Sequence, residues 1–198
     1  MNILVTGSNG QLGSEIKDVA ASYKSFCFFF MDLPALDICN SSELDIFIAK
    51  NKIDTVINCA AYTAVDAAEE NAVIAEQVNG AGVLNLVHAL AKVNGKLIHI
   101  STDYVFDGNV FLPYQESDKT NPMGVYGKTK RNGELAVINS DIDAIVIRTS
   151  WLYSAYGTNF VKTMRRLGKE RNELNVIYDQ LGTPTNASDL AKTCLDIL

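Results

Sequence analysis

Short apolar runs alternate along the chain with longer segments whose apolar residues recur at helical spacing. Asn2 to Thr6 reads as a buried strand, a Gly-rich turn follows, and a helix runs through about Ala21. Phe26 to Met31 is a second apolar run of strand length. Ser41 to Asn51 has the pattern of an amphipathic helix, with Asn40 or Ser41 as its cap. Thr55 to Cys59 reads as a third strand, and Asp66 to Val93 as a helix whose middle is weakened by Gly80 and Gly82. Lys96 to Ile100 is a fourth strand, Met123 to Asn139 a helix, Ala144 to Arg148 a fifth strand and Asn159 to Lys169 a helix. Leu174 to Ile177 is a candidate sixth strand, and Ser188 to Leu198 is an amphipathic helix with no capping glycine. This alternation predicts an α/β fold over residues 1–198: a Rossmann-like, doubly wound parallel sheet with helices on both faces. Asp103 to Pro122 follows neither period; it is long, polar and aromatic, reads as a functional or a disordered loop, and is expected to be mobile without ligand.

Composition narrows the function classes. The 198 residues suffice for one well-buried core, and 47% hydrophobic with 20% charged residues is a globular balance. No apolar run approaches the ~20 residues of a membrane span, and Met1 leads straight into a strand without a basic leader. A cytoplasmic protein is expected. The net charge of −6 argues against a broad nucleic-acid surface. Cys27, Cys39, Cys59 and Cys194 are scattered, with neither a Cys-x-x-Cys pair nor a histidine at zinc spacing. Buried or incidental thiols in a reducing compartment are the expected reading.

The candidate chemistry lies at the strand ends. Gly7-Ser-Asn-Gly10-Gln-Leu-Gly13 follows the first strand and opens a helix. Glycines there permit a tight turn and close backbone approach, and a helix N-terminus attracts a pyrophosphate. Asp32 closes the second strand about 20 residues on, where an acidic group can accept from ribose hydroxyls and favour NADH. A solvated strand-end carboxylate is the alternative. No basic residue directly follows it to pair a 2′-phosphate. Asn58-Cys-Ala60-Ala61-Tyr62-Thr63 ends the third strand with small residues, suited either to a cofactor lying across the sheet edge or to helix packing. Ser101-Thr102-Asp103-Tyr104 ends the fourth, as a carbonyl-binding hydroxyl or as a turn. Tyr126-Gly-Lys-Thr-Lys130 puts a phenol and an ammonium on one helix face, where the cation is expected to lower the phenol pKa. Such a phenol can exchange a proton with a carbonyl or alcohol. His88 and His99, the only histidines, show no triad pattern and are read as structural. Trp151, the only tryptophan, fits a site wall or the core equally.

Together the turn glycines, Ser-Thr-Asp and Tyr-x-x-x-Lys resemble the extended short-chain dehydrogenase/reductases. Asn58–Asp66, Ser101–Gly108, Pro122–Lys130, Arg148–Tyr153 and Asp179–Thr185 are similar, in order, to motifs of the dTDP-4-dehydrorhamnose reductase family. The resemblance implies NADPH- or NADH-dependent reduction of the C4 ketone of a dTDP-linked 4-keto-6-deoxy sugar. It implies that Tyr126 protonates the alkoxide, Lys130 tunes the phenol and holds the nicotinamide ribose, and Thr102 orients the carbonyl. By the same resemblance Gly7, Gly10, Gln11, Leu12, Gly13, Asp37, Ile38, Ala60, Ala61 and Tyr62 match cofactor contacts. Thr63, Val65, Asp103, Tyr104, Phe106 and Trp151 match positions of the sugar pocket. Members continue past position 198 into a smaller substrate lobe, so this chain is expected to bind cofactor and reduce substrate poorly. Some members dimerise around a metal held by glutamates; Glu15 matches one, no second ligand stands out, and no metal is expected. A homodimer is allowed but not specified. Two other classes stay open: a non-catalytic dinucleotide-binding subunit like the β subunit of methionine adenosyltransferase, and a sister epimerase or dehydratase.

Overall fold

β1 (Asn2–Thr6) is the innermost apolar strand: Ile3, Leu4 and Val5 have no solvent exposure. In a computed structural model describing residues 1–198, it pairs in parallel with β2 (Cys27–Phe30) and with β3 (Thr55–Asn58). β3 pairs with β4 (Lys96–Thr102), and β4 with β5 (Asp143–Thr149), again in parallel. The order β2-β1-β3-β4-β5 reverses direction at β1/β3, and a crevice opens at such a switch point. The expected parallel, doubly wound sheet is thus the observed one.

Alternation along each strand feeds two cores. Leu4, Val56 and Leu97 face α2 (Ser41–Lys50), α5 (Gly82–Ala91) and α6 (Val125–Ile138). Ile3, Val5, Ile57 and Ile98 face α1 (Gln11–Ala20) and α8 (Ala187–Asp196). A parallel sheet has helices on both faces, so its strands show runs of apolar residues rather than an apolar–polar alternation.

Two expectations need correction. The helix expected over Asp66 to Val93 is broken into α3 (Val65–Glu70), α4 (Ala72–Glu76), a π-helical turn at Gln77–Ala81, and α5. Asn71, with ψ 38, departs from helical geometry between the first two. No strand forms at Leu174–Ile177; apart from partly buried Leu174 the segment is exposed, and no neighbour offers it a ladder. The extra pairing is instead β6 (Leu152–Tyr153) with β7 (Thr185–Asn186), too short to show a period. α7 (Phe160–Glu170) is as expected, but buries no residue. No helix is long and apolar enough to cross a membrane.

Candidate active site

A cavity of about 900 Å³ lies along the C-terminal ends of β1, β3 and β4. Its floor is the turn between β1 and α1. Gly7 has a left-handed backbone, φ +59, and a Cβ there would sit 2.6 Å from the Ala60 nitrogen. A side chain at this position would fill the cradle. The Gly10 N–H donates to the Gly7 carbonyl at 3.0 Å, which tightens the turn. Gly10 is the N-cap of α1 and brings no side chain to satisfy the first-turn N–H groups. By contrast α2, α7 and α8 are capped by Asn40, Asn159 and Asn186. The open end of α1 points its free donors and dipole at the cavity, which is the chemistry a pyrophosphate needs. Gly13 lies behind the turn rather than on the wall. Its Cβ would meet Ser8 Cα at 2.5 Å, so its role is helix-to-turn contact.

Leu36, Ile38, Ile74 and Val78 make an apolar slot beside Asp32 and Asp37 at one end. The Asp32 carboxylate is occupied on both oxygens, accepting from the Asn9 N–H and the Leu33 N–H, each at 2.8 Å. Asp37 accepts from the Cys39 N–H at 2.8 Å. Gln11, Leu12, Ala60, Ala61 and Tyr62 line the middle. At the other end Thr63, Val65, Thr102, Asp103, Tyr104, Tyr126, Lys130 and Trp151 converge.

That end is built on α6. Gly124 caps the helix without a side chain, and Glu69 of α3 accepts from the Val125 N–H at 2.8 Å in its place. Lys130 is fully buried and donates to the Ile100 carbonyl at 2.7 Å. Burial lowers its pKa to about 8, while the Glu134 carboxylate one turn along pulls it up. The expected effect on Tyr126 is not seen. Its phenol is raised above the ordinary value, because burial and then the Asp103 and Tyr104 side chains disfavour the phenolate. Thr102 pulls it down, and Lys130 has no part in the shift. The ammonium turns to the Ile100 carbonyl instead. The Tyr126 ring meets Tyr104 edge-on at 5.6 Å. The Thr102 hydroxyl donates to Asp103 at 3.1 Å and accepts from the Tyr104 N–H at 3.2 Å. Burial raises the Asp103 carboxyl.

Phe106 does not reach the cavity. It stacks on Tyr114 at 4.1 Å, with the Arg148 guanidinium 5.0 Å from its ring, and this sandwich turns it away. Trp151 does line the wall, with a left-handed backbone, φ 47, that a bulky residue holds only under constraint. Its constraints are the Phe160 ring, edge-on at 5.2 Å, and its carbonyl, which accepts from the Thr185 N–H at 3.3 Å. Glu15 is engaged within the chain, accepting from the Ser154 hydroxyl at 2.5 Å.

Several supporting residues have no local sequence signature. Asn79 in the π-helical turn holds both backbone groups of Tyr62 and donates to the Thr129 hydroxyl. The signal for it was the pair of glycines that breaks helical continuity; π-turns often mark functional sites. His99 is fully buried, its pKa well below the ordinary value through burial. Its Nδ1 faces Asn58 Nδ2 at 3.1 Å, and Asn58 accepts from the Thr6 hydroxyl at 2.7 Å. Asn58 Nδ2 can only donate, so Nδ1 accepts and the neutral ring carries its proton on Nε2. Glu134 has a fully buried side chain, receives Arg148 on both oxygens at 2.8 Å, and receives Arg131 at 2.8 Å. It ties α6 to β5.

Comparison with known proteins places the same features in one family. The model of the RmlD substrate binding domain matches residues 1–198. A dTDP-4-dehydrorhamnose reductase of Burkholderia thailandensis is 44% identical over 96% of this chain and 63% of its own length. A reductase of the same name from Aggregatibacter actinomycetemcomitans is 40% identical over 98% of this chain and 66% of its own. The chain thus spans just under two thirds of the curated relatives it matches. The crystal structure of a dTDP-4-dehydrorhamnose reductase from Clostridium acetobutylicum superposes with a TM-score of 0.95 at 45% identity, covering 100% of this chain and 70% of that one. That of the Bacillus anthracis enzyme, in complex with NADP, gives 0.95 at 39%, covering 99% and 69%.

Proposed function

The chain belongs to the RmlD substrate binding domain family, and on that premise we propose that it is the dinucleotide-binding, proton-delivering part of a dTDP-4-dehydrorhamnose reductase. Bound NADPH or NADH would supply the hydride to the C4 ketone of the dTDP-linked 4-keto sugar, giving dTDP-L-rhamnose. One observation carries the reading: the Gly7–Gly10 cradle and the Thr102, Tyr126, Lys130 cluster line a single cavity. The open N-terminus of α1 and the Gly7 cradle fit a pyrophosphate, and the apolar slot of Leu36, Ile38, Ile74 and Val78 fits an adenine. The B. anthracis relative carries NADP.

The roles follow from the residues present. The Tyr126 phenol is protonated at neutral pH, as a donor to a nascent alkoxide must be. A raised phenol pKa makes it a reluctant donor, so a cation must favour the phenolate when the proton leaves. Lys130 is the cation within the cavity wall, and its release from the Ile100 carbonyl toward the cofactor ribose would provide this. Thr102 donates to the ketone once Asp103 gives up its hydrogen bond. Thr63, Val65, Asp103, Tyr104 and Trp151 form the chain's share of the sugar pocket. In our reading the remaining third of the relatives' length completes the nucleotide-sugar site. The four free cysteines suit a cytoplasmic setting, where thiols stay reduced.

The test is NADPH or NADH oxidation with the 4-keto sugar nucleotide. Tyr126→Phe is expected to lower kcat by about 10²–10⁴-fold with dinucleotide affinity unchanged. Tight cofactor binding with no oxidation by the full-length gene product would instead point to a regulatory dinucleotide-binding module.

A further inference from the structure

No basic residue follows Asp32 in the sequence, yet folding brings a cation to the same corner from another element. Lys17 of α1 is exposed, and its Nζ donates to the Asn9 side-chain oxygen at 3.0 Å. The ammonium also stands 5.6 Å from the Phe30 ring centroid, a second contact that holds it at this corner. The Asn9 N–H in turn donates to Asp32 at 2.8 Å. Ammonium, amide and carboxylate therefore meet just outside the wall that Gly10 and Asp32 contribute to the cavity. Lys17 takes part in none of the chain's salt bridges. With one hydrogen given to Asn9, two more remain to donate.

The charges at this end need a counterweight. Asp32 and Asp37 both line it and would repel a second anion. Asp32 is already solvated by two backbone N–H groups, which leaves it less free to select a ribose hydroxyl. We propose that Lys17, held in place by Asn9, is the counterion for a phosphate on the adenosine ribose of the bound dinucleotide, so that the chain accepts the 2′-phosphorylated cofactor in spite of Asp32. The proposal rests on the dinucleotide reading of the cavity. It differs from a purely structural role, in which Lys17 would steady the Gly-rich turn and matter equally to either cofactor.

Titration of this chain with NADPH and with NADH, followed by nicotinamide fluorescence, separates the two. Lys17→Gln is expected to weaken NADPH binding by about tenfold, the scale of one charge-assisted hydrogen bond. NADH binding should change by less than about twofold, and Lys17→Arg should retain NADPH affinity. Raising salt from about 50 to about 300 mM should narrow the preference for NADPH in the parent chain and not in Lys17→Gln. Equal weakening of both cofactors would show a turn clamp and overturn the proposal. An unchanged NADPH to NADH ratio would overturn it as well. Failure of the parent chain to bind either nucleotide would overturn the dinucleotide reading and the proposal with it.

Discussion

Lys130 shows what burial does to a single group. Its ammonium has the Ile100 carbonyl as its hydrogen-bond partner and a pKa of about 8, below the ordinary 10.5. The unfolded chain therefore holds more protons than the folded one from about pH 8 to 10.5, and this group's contribution to stability rises across that window. Lys130→Met is expected to raise the melting temperature at pH 7, with the gain fading above pH 10.5. In the proposed reading the Lys130 ammonium donates to the ribose of a bound dinucleotide, which favours the charged form, so dinucleotide affinity should hold below about pH 8 and fall above it. Titrations across that range check this, and Lys130→Met should abolish the dependence. Tyr126 gives the opposite lesson about proximity. Four residues from a cation, its phenol is still raised, because burial disfavours the phenolate and the ammonium is turned to the Ile100 carbonyl.

At the scale of elements, the site depends on how α1 and the broken α3–α5 segment meet the strand ends. α1 can approach the turn only because residue 13 has no Cβ. Gly13→Ala would push Ser8 Cα from 2.5 Å, and backbone cannot yield as a flexible side chain can. A loss of about 1–3 kcal/mol in a urea melt is expected, together with weaker dinucleotide binding. Asn79 fixes the loop after β3 by holding both backbone groups of Tyr62. Asn79→Ala should cost about 1–3 kcal/mol, since it leaves buried polar groups unpaired, and should loosen the cavity wall at Ala61 and Tyr62.

Over the whole molecule, the two faces of the sheet are fastened differently from the periphery. Glu134 joins α6 to β5 through Arg148, with its carboxylate fully buried. Glu134→Ala removes that partner and should cost about 3–5 kcal/mol, the scale for breaking a buried ion pair; a denaturant midpoint measures it. The segment after Thr102 is held differently. Val110, Phe111 and Leu112 are exposed, while Asp107 gathers Tyr114 and Asn121 at its base. Amides of residues 108–113 should exchange hydrogen well before those of β3 and β4. Protection equal to the central strands would refute the expected mobility.

The sequence by itself determined the strand–helix alternation, the parallel sheet, and the Gly7–Gly13 turn. Each of these rests on local steric or periodic rules that a few consecutive residues satisfy. It also marked Thr102, Tyr126 and Lys130 as candidates, and the three line one cavity. Tertiary structure alone decided what these groups do to one another. The direction of the Lys130 ammonium, the neutral ring of His99 against Asn58, and the turning of Phe106 onto Tyr114 and Arg148 all depend on neighbours distant in sequence. The missing strand at 174–177 and the pairing of residues 152–153 with 185–186 have the same cause. A strand forms only where a ladder partner is presented, and that is a property of the folded whole.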